Sequence, residues 1–76
     1  MSDVKKALNA ETKILQGRVK ELYEAYYAKI KFILDNDVNT STISTVEELA
    51  SELNDKVTML EKDYVKKVII ILGKEQ

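Results

Sequence analysis

The stretch VKKALNAETKILQGRVKELYEAYYAKIKFIL, residues 4–34, decides the fold. Its main apolar positions are Val4, Leu8, Leu15, Val19, Leu22, Tyr26, Ile30 and Ile33, and the steps between neighbours are three or four residues, with one gap of seven. That spacing draws one stripe along one side of an α-helix, which turns once every 3.6 residues. It predicts a helix over about residues 3–35, roughly 50 Å long at ~1.5 Å per residue. Ser2 and Asp3 are available to cap its start. Gly17 interrupts the pattern at a cost of about 1 kcal/mol relative to alanine. No turn residues flank Gly17, so a continuous helix is favoured over a break that would give three helices.

Outward from this stretch lies the polar run Asp35-Asn36-Asp37-Val38-Asn39-Thr40-Ser41-Thr42, rich in turn-forming side chains. It predicts a loop over 36–44. Ser44 or Thr45 is then the expected N-cap of a second helix, because Ser44 with Glu47 and Thr45 with Glu48 both fit the capping box. Ile43, just before, is placed to staple onto the first turn. The second stripe is Val46, Leu49, Leu53, Val57, Leu60, Tyr64, Val68 and Ile71, again in steps of three and four. It predicts a helix over 45–72, with Gly73 as the residue that closes it. There is no proline in the chain. Two long amphipathic helices joined by a short loop make an all-α antiparallel hairpin, a single domain over 1–76.

The chain has 76 residues, no cysteine, no histidine and a net charge of −1. A domain this small buries a limited share of its surface and usually needs a staple. Disulfides and thiolate metal sites are excluded by composition, and the commonest metal ligand and general base, histidine, is absent. No cofactor is expected. With no nucleophile–base pair involving His or Cys, no glycine-rich phosphate loop and no core large enough for a pocket, an enzyme is not expected either. The residues up to Asn9 lack the apolar core of a signal peptide. The longest apolar run, Val68–Leu72, is far too short to span a bilayer. A cytoplasmic protein is the expectation. Eleven lysines against one arginine point to an AT-rich genome, such as many phages and some bacteria have.

Apolar side chains are distributed unevenly. The start of the first helix is poor in them. Its end is rich, with Leu22, Tyr23, Tyr26, Tyr27, Ile30, Phe32, Ile33 and Leu34. The second helix ends in Val68-Ile69-Ile70-Ile71-Leu72, which covers every face. In a lone hairpin that run lies against the weak start of the first helix, and its surplus faces water. Two hairpins packed with their loops at opposite ends relieve the mismatch, so a homodimeric four-helix bundle is expected. The competitors are a three-helix monomer and a different protein as partner. The candidate interface residues are Tyr23, Tyr26, Tyr27, Ile30, Ile33, Tyr64, Val68, Ile69, Ile70, Ile71 and Leu72.

Two further patterns carry possible chemistry. Asp35, Asp37 and Asn39 match the first ligand positions of a calcium loop, but Thr40 stands where the tight turn needs glycine and Val46 where a bidentate Glu belongs. Turn chemistry is the favoured explanation, and no metal is expected. Lys5, Lys6, Lys13 and Arg18 on the first helix, with Lys62, Lys66 and Lys67 on the second, make the open end of the hairpin basic. Such a patch suits nucleic acid or an acidic protein, although no base-reading motif accompanies it. The functional expectation is a non-enzymatic protein–protein interaction module: a homodimeric adaptor, chaperone or inhibitor. A nucleic-acid-binding regulator and a structural assembly subunit are the alternatives.

Overall fold

The computed structural model describes residues 2–36 and 38–74, residues 2 and 74 by backbone alone. Two α-helices account for nearly all of it: α1, Ser2–Asn36, and α2, Thr40–Lys74, each 35 residues long. They pack side by side as an antiparallel hairpin, and no strand occurs among the described residues.

The first helix runs unbroken through Gly17. A Cβ built there meets nothing within 4 Å, and no described residue has a positive φ. Glycine is therefore required here neither by a turn nor by a close approach within the chain.

The second helix begins five residues earlier than the sequence pattern predicts. Its N-cap is Asn39, not Ser44 or Thr45. The Asn39 Oδ1 accepts from the backbone N–H of Ser41 at 2.9 Å and of Thr42 at 3.2 Å. The Asn39 N–H in turn donates to Thr42 Oγ1 at 2.9 Å. This is a capping box with threonine in the place usually held by Glu or Gln, and it satisfies N–H groups that the first turn leaves without helical partners. Thr42 is accordingly buried, at 6% exposure. Thr45 lies inside the helix and donates its hydroxyl to the Ser41 carbonyl at 3.1 Å. Ile43, within the helix, is 62% exposed. Gly73 also differs from expectation: α2 continues through it to Lys74 without a left-handed residue.

Both predicted stripes meet in the seam between the helices. All sixteen stripe residues are buried or half-buried. Tyr26, at 3% exposure, and Leu53, at 6%, are the only apolar side chains among the described residues that are fully enclosed. The seam also contains Ala7, Glu11 and Thr12, which the apolar pattern does not mark. Thr12 fills the seven-residue gap between Leu8 and Leu15. Its hydroxyl donates to the Leu8 carbonyl at 2.8 Å and lies 2.8 Å from the Tyr64 hydroxyl. A threonine hydroxyl has one proton, already given to Leu8, so Tyr64 is the donor of the second bond. The pair ties the two helices together near the open end, and Lys67 with Glu11, 3.7 Å apart, does the same beside it.

One pair of helices is one layer. The Cα atoms span 57 × 15 × 7 Å with a radius of gyration of 17.4 Å. A compact domain of this length has a radius of gyration of about 11 Å. The accessible surface is 6057 Å². A compact monomer of this mass exposes only about 4,700 Å². The excess exists because each helix has a single neighbour.

Candidate interaction surfaces

A one-layer hairpin has two broad sides, and the helical repeat determines what each presents. On the first side, Tyr23, Tyr27 and Ile30 of α1 and Ala50, Leu53 and Asn54 of α2 line a shallow hollow of about 240 Å³. The rings of Tyr23 and Tyr27, one turn apart, stand 5.6 Å centroid to centroid and tilt by 38°. This tilted geometry is favourable for aromatic pairs. Steps of three and four residues extend this side to Leu34 on α1. On α2 they extend it to Ile43 at one end and to Val65 and Leu72 at the other. These side chains are exposed by about half or more. Charge is sparser along these rows than on the other side, with Lys5, Lys20, Lys31, Glu47 and Glu61 the charged members.

The second side is more highly charged. A groove of about 450 Å³ runs between the helices there, lined by Arg18, Glu21 and Leu22 opposite Lys56, Met59 and Asp63. It continues towards the open end past Ile14 and Lys67, and a separate hollow near the loop holds Ala28, Phe32 and Leu49. Met59 and Phe32 are 66% and 68% exposed.

Between these grooves sits a polar cluster around Tyr26. The ammonium groups of Lys29 and Lys56 lie 4.9 and 5.3 Å from its ring centroid. Glu52 is 3.5 Å from Lys56. The Tyr26 hydroxyl is the largest influence on both charges: it holds the Glu52 carboxyl below its ordinary range and raises the Lys56 ammonium. Their mutual attraction adds to both shifts, and partial desolvation opposes both. Within this cluster Lys56 over the Tyr26 ring and the Tyr26 hydroxyl with Glu52 cross from one helix to the other and tie the middle of the seam.

The predicted interface residues divide in two. Tyr26, Ile30, Ile33, Tyr64, Val68 and Ile71 belong to the seam within the hairpin. Tyr23, Tyr27, Ile69, Ile70 and Leu72 are exposed. The apolar pattern also left unmarked several exposed apolar side chains, among them Ile14, Val38, Ile43, Met59 and Val65. They lie off the two stripes, so the seam spacing does not mark them. The seven basic residues of the open end do not converge on one face. Arg18 and Lys67 line the charged groove with Glu11 and Asp63, whereas Lys62 and Lys66 border a patch formed by α2 alone.

Of the calcium pattern, Asp37 lies outside the described residues. Asn39 Oδ1 is committed to capping α2. Among the described residues no group of three or more acidic side chains is placed to hold a metal ion. None of the described helices is long and apolar enough to cross a membrane. No family model matches the chain, nor does any curated protein or solved structure.

Proposed function

We propose that this protein is a non-enzymatic protein–protein interaction module that works as a homodimer, in the manner of a small adaptor, chaperone or inhibitor. The observation that carries the proposal is the single-layer architecture. A hairpin 7 Å thick at the Cα level leaves large apolar side chains on both broad sides. A soluble domain normally closes its core with a second layer. With neither cysteine nor histidine in the composition, association is the staple that remains. The excess over a compact monomer, about 1,300 Å² per chain, corresponds to an interface of roughly 2,600 Å² in total, within the range of obligate homodimers. One broad side covered by a second copy leaves the other for a client protein.

Analytical ultracentrifugation and light scattering at micromolar concentration test the first half of this proposal. A dimer of helical hairpins is expected. A folded monomer that stays monomeric on concentration would overturn the proposal.

A further inference from the structure

We infer that the second copy docks on the side bearing Tyr23, Tyr27, Ile43, Val65 and Leu72, with the two loops at opposite ends of the dimer. The inference rests on the homodimeric function proposed above and specifies its geometry. The apolar argument selects the side. The tyrosine side presents more exposed large apolar groups than the other and fewer charges. Burial of that side strands little charge, whereas burial of the other would desolvate Arg18, Glu21, Lys56, Asp63 and Lys67.

Charge selects the orientation. Among the described side chains, the open half of the hairpin (residues 3–19 and 58–73) carries seven basic groups and four acidic ones. The loop half (residues 20–57) carries four basic and seven acidic. The hairpin is thus positive at one end and negative at the other. The α2 share of this polarity, acidic at its start and basic towards its end, suits the macrodipole of that helix. The α1 share does not, because Lys5, Lys6, Lys13 and Arg18 crowd its N-terminal half, towards the end where a macrodipole favours anions. With loops at opposite ends, each positive end lies over the partner's negative end. With loops at the same end, each net-positive end lies beside another net-positive end.

Packing agrees. Opposed loops lay α2 antiparallel over α2 of the second copy, with Ile43 near Leu72, Ala50 near Val65, and Val57 close to the two-fold axis. The tyrosines of α1 then lie over Thr12 and Gln16, whose polar groups suit phenol hydroxyls. Loops at one end would instead set Leu72 over Lys5 and Val65 over Thr12.

The chain has no cysteine, so a single introduced thiol reports geometry without ambiguity. Val38, beside the cap of α2 and 68% exposed, is the site. Spin labels on Val38→Cys should lie roughly 50 Å apart in the dimer, the length of a helix of this size. Loops at one end would put the labels within about 20 Å, since packed helices stand 8–10 Å apart. Tyr27→Lys occurs in both copies and should raise the dimer dissociation constant at least ~100-fold, the lower end for losing two large buried apolar groups. Phe32→Lys, on the other side, should change it less than about threefold. Sodium chloride raised from about 0.05 to 0.5 M should weaken the dimer several-fold as the Debye length shrinks. A dimer with the short label distance overturns the orientation alone. A dimer dissociated by Phe32→Lys and unmoved by Tyr27→Lys overturns the choice of side. A monomeric wild type removes both this inference and the functional proposal beneath it.

Discussion

Replacing Gly17 by alanine should make the protein more stable, and the size of the effect follows from the geometry. Gly17 sits in the middle of a continuous 35-residue helix with ordinary helical backbone angles. A Cβ there has open space around it, so no strain offsets the gain in helix propensity. That gain is about 1 kcal/mol per chain, because alanine loses less backbone freedom than glycine on entering a helix. Unfolding entropy of roughly 2.1 cal/mol/K per residue gives about 160 cal/mol/K for a chain of this length, so the midpoint should rise by ~6 °C. Thermal unfolding followed by far-ultraviolet circular dichroism measures this. Protein concentration must be held fixed between variants, since assembly shifts the midpoint by mass action. A rise confined to one degree or less, or a fall, would refute the reasoning. It would mean either that α1 breaks at Gly17 in solution or that another chain approaches the bare backbone there. Gly17 follows Ile14 and precedes Glu21 in steps of three and four, and both line the charged side. Under the docking geometry inferred above, the second copy does not touch that side.

Further outcomes are expected from the cap, the core and the central ion pair. Asn39→Ala should cost ~1 kcal/mol and Asn39→Ser much less, because serine restores the acceptor for the Ser41 and Thr42 N–H groups; chemical denaturation resolves the two. Leu53→Ala should cost about 2–5 kcal/mol, enough in a hairpin this thin to abolish cooperative unfolding of the dilute protein by calorimetry. Glu52 has its carboxyl lowered in the folded state, so its stabilising contribution is complete above its unfolded pKa and is lost as pH falls through the lowered folded value. Lys56 is raised, so its contribution is complete below its unfolded pKa and is lost as pH climbs through the raised one. Glu52→Gln should therefore flatten the acid limb of a plot of unfolding midpoint against pH, and an unchanged limb would remove Glu52 from the account.

The fold was legible because one physical rule governs it. Every stripe residue read from the spacing, from Val4 to Ile71, lies in the seam, since a lone pair of helices can bury only one row from each. What the spacing missed is polar. Thr12 and Glu11 occupy the seam because Tyr64 and Lys67 of α2 reach them, a pairing that no apolar periodicity can mark. The start of α2 was misplaced for a similar reason. Two capping boxes with glutamate stood at 44–48, while the box in use pairs Asn39 with Thr42, whose short side chains look like ordinary loop chemistry. The interaction surface was half legible. The Val68–Leu72 run signals surplus in sequence, and the stripe already sets Val68 and Ile71 apart; the hairpin leaves Ile69, Ile70 and Leu72 outside the seam. The basic residues were read as a patch. Set on the hairpin, they are scattered around its open end and form a pole.

The steps of the two stripes have one more consequence. From Val4 to Ile33, and from Thr42 to Ile71, the seam positions recur eight times over equal stretches of chain. The repeat is close to 3.63 residues per turn, longer than the 3.5 that winds helices into a left-handed supercoil and near the 3.6 of a straight one. Nothing in the pattern asks α1 and α2 to coil about each other. Helices inclined by the usual 20° would lift their ends well out of a common plane over this length, and the 7 Å thickness leaves no room for that. The molecule is therefore a straight ribbon. Its rows of side chains stay on the same side from the loop to the open end, and a matching ribbon can follow them for their whole length.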